Sequence, residues 1–153
     1  MRFKRNCSIV LTILAFFTLC SPLFAQNAGA TIASFYNQMP IMYRMGITYS
    51  TPNITFPGTV PTTATTTMVA WTWGFSGGTA PAGLNVQLCN VAPSQERCLD
   101  ISNTPHGTTW YFKDQPLSAG PQYVIRMRVP GSGPMIALYP PNTDELILNY
   151  EYN

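Results

Sequence analysis

Thr67-Met-Val-Ala-Trp-Thr-Trp-Gly-Phe75 is the stretch on which the fold turns. With a two-residue side-chain period, Val69, Trp71, Trp73 and Phe75 fall on one face, and Met68, Ala70 and Thr72 fall on the other. Gly77 and Gly78 follow and end the run. The pattern recurs on either side. Leu84, Val86 and Leu88 alternate with Asn85 and Gln87. Tyr123, Ile125, Met127 and Val129 point inward, with Arg126 and Arg128 outward. Further strands are expected over 41–50, with a bulge at Gly46, and over 54–56, 107–112, 135–139 and 145–152. Residues 26–40 read as irregular. No helical period runs through 26–153, and turn signals separate the runs. The expectation is an all-β domain: an antiparallel β-sandwich or partly closed barrel of about seven or eight short strands. Pairing of 145–152 with 122–129 would bring Glu145 and Glu151 near the outward arginines.

The N-terminus has a different composition. Arg2, Lys4 and Arg5 precede an apolar run over 8–20, and small residues follow at Ala25, Ala28 and Ala30. The run is shorter than the roughly 20 apolar residues needed to span a bilayer. The three-part arrangement is that of a secretory signal peptide over 1–25, cleaved after Ala25, leaving one periplasmic domain over 26–153 with no membrane span. A membrane anchor is the alternative; Leu19 ahead of Cys20 disfavours a lipid-attachment site. Without the leader, five basic residues face six acidic ones, so the net charge of +2 becomes −1. No basic stripe remains to follow a phosphate backbone, which argues against nucleic acid.

Cys7 and Cys20 belong to the leader, so Cys89 and Cys98 remain as a pair in an exported chain. They flank a turn-rich segment between two strand-like runs, and a disulfide stapling that hairpin is expected. Its closed loop is worth on the order of 2–3 kcal/mol in the chain-entropy model. A redox role lacks Cys-x-x-Cys spacing.

Gly74-Phe-Ser76-Gly-Gly78 spells G-x-S-x-G, and Asp100 and His106 follow in the chain order of an α/β-hydrolase triad. The nucleophile elbow needs a helix after the serine. Thr79-Ala-Pro-Ala-Gly83 disfavours one, and the expected sheet is antiparallel. His106 is the single histidine and cannot build a zinc site with two bridged cysteines. No catalytic residue, metal or cofactor is therefore assigned. Trp71, Trp73 and Trp110 have two readings: core, or an exposed platform that stacks on sugar rings or binds a protein.

Met68-Val-Ala-Trp71, Ala80-Pro-Ala-Gly-Leu84 leading into Val86-Gln-Leu-Cys89, Arg97-Cys98, Gly107-Thr-Thr109 and Phe112 form an ordered series. It continues with Val129-Pro-Gly-Ser-Gly133, Ile136-Ala-Leu138 and Asp144-Glu-Leu-Ile-Leu-Asn-Tyr150, and Gly46-Ile-Thr48 is a weaker N-terminal match. Order and spacing together resemble the flagellar protein FlhE family over about 46–152. The chain departs from it in a longer loop between Cys89 and Cys98 and a Thr-rich insertion near 60–67. The resemblance implies a small non-enzymatic periplasmic accessory of the flagellum, partnered by export-gate or basal-body proteins. It further implies roles in limiting proton leakage through the export gate and in swarming. It brings no catalytic residue. The competing classes are a secreted carbohydrate-binding module, using the tryptophans, and a pilus-chaperone-like sandwich with an exposed sheet edge.

Overall fold

The computed structural model describes residues 28–36, 39–77, 79–92, 96–140 and 144–153. Among these residues ten strands and no helix form: β1 (Ala28–Tyr36), β2 (Met42–Met45), β3 (Thr48–Ser50), β4 (Thr65–Thr72), β5 (Asn85–Asn90), β6 (Arg97–Asp100), β7 (His106–Thr109), β8 (Tyr123–Arg128), β9 (Gly133–Leu138) and β10 (Asp144–Tyr152). All pairings are antiparallel. One four-stranded sheet has the order β1-β10-β4-β7, a second has β3-β8-β5-β6, and β2 pairs with β9 in a small third sheet. The sheets are open rather than closed into a barrel. Among the described residues no helix is long and apolar enough to cross a membrane.

The inward faces of the two large sheets share one core. Val69, Trp71, Leu146 and Leu148 come from the first, and Val86, Leu88, Tyr123, Ile125 and Met127 from the second. The inward set of 122–129 is as expected: Tyr123, Ile125, Met127 and Val129 are buried, while on the other parity Val124 is buried too, Arg126 is half-buried and Arg128 exposed. In β4 the buried residues step from Thr66 to Val69, three positions instead of two. The cause is a bulge. Asn149 pairs with Met68 and Tyr150 with Thr66, so Thr67 has no opposite number and the inward phase is restored beyond it.

Three expectations are corrected. Residues 26–40 are not irregular where they are described, since Ala28–Tyr36 is a nine-residue strand paired along its whole length with β10. Its small residues and Ser34 hide the alternation in sequence. Residues 41–50 are two strands rather than one bulged strand. Gly46 sits at φ +80°, its N–H donates to the Val129 carbonyl (2.8 Å), and a Cβ there would lie 2.5 Å from the Gly131 carbonyl oxygen. The chain turns a corner at this point, so β2 and β3 belong to different sheets, and the Pro130–Gly133 segment turns their respective partners, β9 and β8, around the same corner. Finally, 145–152 does not pair with 122–129. β10 lies between β1 and β4, β8 lies between β3 and β5, and Arg126 takes Glu96 as its partner. Of the short strand expected at 54–56, a single bridge from Ile54 to Tyr123 forms.

Candidate interaction surface

Cys89 and Cys98 stand directly opposite each other in β5 and β6 and are joined by a disulfide with an S–S distance of 2.09 Å. Cys89 is fully buried, and the bridge is covered by a charged pair. Arg126 places one guanidinium nitrogen 3.9 Å from Cys98 Sγ and donates to both carboxylate oxygens of Glu96, the second at 3.3 Å. The hydrogen bond from Arg126 is the chief reason that the Glu96 carboxyl lies below its ordinary range. Cys89 Sγ, Cys98 Sγ and a Glu96 oxygen lie within 4.8 Å of one another. Both sulfurs are consumed by the disulfide and the carboxylate by Arg126, so this trio is not free to ligate a metal.

Trp71 and Trp73 are buried and belong to the core. Trp71 Nε1 donates to the Thr104 carbonyl (2.8 Å), and Trp73 Nε1 divides between the carbonyls of Thr104 (3.1 Å) and Ile101 (3.2 Å). The Trp73 backbone N–H takes Pro105 O (2.7 Å). Both indoles therefore hold the segment that carries the chain from β6 in one sheet to β7 in the other. Gly107 faces Trp71 across β4 and β7, and a Cβ there would lie 2.8 Å from the indole ring, so the missing side chain makes the indole's place. Trp110 stands apart from both. It is 67% exposed in the turn after β7, next to Tyr111, whose ring carries the Arg97 guanidinium at 4.6 Å. From Tyr111 a chain of edge-to-face contacts runs inward through Phe112 (5.2 Å) to Tyr123 (5.5 Å), tying the exposed aromatic turn to the core.

The residues of the G-x-S-x-G stretch have separate occupations. Ser76 Oγ donates to the Pro140 carbonyl (2.7 Å). Asp100 accepts from the Ser102 hydroxyl, from the Ser102 N–H (2.9 Å) and from Asn85 (3.1 Å), and the Ser102 bonds, led by the hydroxyl, lower its pKa. His106 begins β7 opposite Thr72. Among the described residues no hydrogen bond joins Ser76 to His106 or His106 to Asp100, and no helix follows Ser76. Gly78 lies outside the described residues.

Two features escaped the sequence reading. The first is an apolar surface on the small sheet. Ile41, Tyr43, Ile136 and Tyr139 are exposed, Ile136 at 89%. Met42 pairs with Leu138 and Arg44 with Pro134, so three residues of β9 stand opposite Tyr43 alone and Ile136 is at the middle of that protrusion. Apolar residues at both parities of 41–45 were the available signal. The second is Asp144, at the start of β10, which has no exposed surface and no hydrogen-bond partner for either carboxylate oxygen. Burial pushes its pKa up to about 7, and the nearby Gly74 N–H, short of full hydrogen-bond geometry, offsets part of that rise. Parity was the available signal: Asp144 precedes Leu146 by two residues and falls on the same face of β10 as Leu146, Leu148 and Tyr150.

A small, open, antiparallel β-sandwich, cross-linked by the Cys89–Cys98 disulfide and displaying exposed aromatic and aliphatic side chains, is the class of protein these features define. The family model "Flagellar protein FlhE" matches residues 39–151, and the chain belongs to that family. It is similar to a solved structure described as the crystal structure of FLHE, with a TM-score of 0.63 at 26% identity, covering 82% of this chain and 98% of that one. No curated protein sequence matches the chain.

Proposed function

We propose that the chain is a non-enzymatic accessory of the bacterial flagellum that works in the periplasm after removal of residues 1–25. There it docks on export-gate or basal-body components, limits proton leakage through the export gate and supports swarming. Membership of the FlhE family over 39–151 is the observation that carries this reading. The N-terminal basic-then-apolar pattern and the disulfide support an oxidising compartment. Two surfaces suit docking by shape: Trp110 with Tyr111, and Ile136 with Tyr43. Tryptophan and tyrosine anchors of this kind are enriched among the hot spots of protein interfaces. Ser76 and Asp100, each hydrogen-bonded to partners other than His106, favour recognition over chemistry.

The test is deletion of the gene, followed by measurement of cytoplasmic pH and swarming. Loss of swarming together with cytoplasmic acidification is expected, and restoration by the wild-type chain but not by Trp110→Ala or Ile136→Asp would assign the docking surface. Unchanged pH and swarming in the deletion strain would overturn the proposal.

A further inference from the structure

We propose that the outer edge of β1 pairs antiparallel with β1 of a second copy of this chain. This goes beyond the docking function above and does not depend on it. Open sheets leave edge strands whose outward N–H and C=O groups are a template for another strand, and native domains protect such edges with short length, charge, proline or bulges. Most of the edges here are protected. β3 has three residues and β7 has four. β6 has four and carries Arg97 and Asp100. In the small sheet, β2 carries Arg44, and β9 carries Pro134 and the protrusion at Ile136.

β1 has none of these protections. Ala-Gly-Ala-Thr-Ile-Ala-Ser-Phe-Tyr runs for nine residues, about 30 Å at strand rise, without a charge or a proline. Within the described residues its one paired neighbour is β10. Among the described residues no backbone hydrogen bond reaches it from a loop. Among the described residues the side-chain hydrogen bond from β1 to a loop is that of the buried Ser34, whose Oγ donates to the Thr55 carbonyl (2.6 Å), so the open stretch is 28–33.

A second copy fits this edge for a physical reason. Antiparallel self-pairing brings no like charges into opposition at any register, because the strand has none. A two-fold axis makes the outward groups self-complementary. The two four-stranded sheets would merge into one continuous sheet through β1.

The test uses the processed chain purified from the periplasm, with its mass measured by light scattering over a concentration series. The mass is expected to rise toward twice that of one chain, with hydrogen exchange at alternate amides of 28–33 slowing in parallel. The double substitution Thr31→Lys/Ala33→Lys is expected to restore the single-chain mass with an unchanged near-ultraviolet circular dichroism spectrum. A single-chain mass throughout the series overturns the proposal, as does a doubled mass that survives the folded double variant. If the double variant does not fold, the wild-type exchange decides: amides of 28–33 whose rates ignore concentration overturn it, and slowing supports it. An oxidised Ala33→Cys/Ile147→Cys cross-link holds β1 on its own β10. A doubled mass that persists with the cross-link supports edge pairing, and one lost on cross-linking reveals strand exchange and overturns it.

Discussion

Replacing Asp144 by asparagine should change how the stability of this domain depends on pH. The carboxyl is fully buried, finds no hydrogen-bond partner, and has its pKa raised from 3.8 to about 7 by burial. The native state therefore holds this proton more tightly than the unfolded chain does. Well below 3.8 both states are protonated and the group contributes nothing to the pH dependence. Between pH 4 and 7 the native state binds more protons, so stability falls as pH rises, with a limiting slope of about 1.4 kcal/mol per pH unit. The full loss is about 4 kcal/mol at most, and roughly 2–4 kcal/mol once residual solvation of the charge is allowed for. For a domain of this size that corresponds to a fall in Tm of roughly 10 °C between pH 4.5 and pH 8. Glu96 and Asp100 have lowered pKa values, so their stabilisation grows as the unfolded carboxyls ionise through 4.5 and 3.8, opposing the Asp144 trend at the acid end, and is constant above about pH 6. Asp144→Asn carries no proton in this range, and its profile should be flat once the remaining titrations common to both proteins are subtracted. Thermal unfolding of the two proteins from pH 4.5 to 8 measures the difference. A wild-type Tm that is level or rising across the window, or a variant that keeps the wild-type slope, would refute the reasoning.

Four further outcomes are expected. Gly107→Ala should lower stability by about 1–3 kcal/mol in denaturant titration, because the new methyl meets an indole that is buried and hydrogen-bonded at Nε1 and cannot easily yield. Gly46→Ala should cost at least as much, since its Cβ meets backbone at 2.5 Å and its φ of +80° is unfavourable for alanine. Reduction of Cys89–Cys98, or Cys89→Ala/Cys98→Ala, should lower the unfolding free energy by about 2–3 kcal/mol, read from the denaturation midpoint. Trp110→Ala should leave stability within about 0.5 kcal/mol while Trp73→Ala costs about 3–5 kcal/mol, a contrast measured by chemical denaturation.

The residues themselves were sufficient for the all-β class, the inward set of 122–129, the Cys89–Cys98 bridge and the family. These depend on interactions between near neighbours: alternation between successive side chains, turn chemistry, and a cysteine pair closing a short hairpin. Where each strand went was decided by tertiary contacts. The small side chains of β1 carry no alternating signal, yet β10 offers them nine paired positions. Gly46 looked like a bulge because its role as a corner depends on Gly131, a residue 85 positions away in the chain. The tryptophans have the same identity in either reading, and only the carbonyls of Thr104 and Ile101, brought beneath them by the crossover to β7, make two of them structural and leave the third to solvent. Asp144 is the extreme case, since an aspartate near a chain turn ordinarily faces water. It shares the inward face of β10 with Leu146 and Leu148, and its burial follows from the covering of that face in the assembled sandwich.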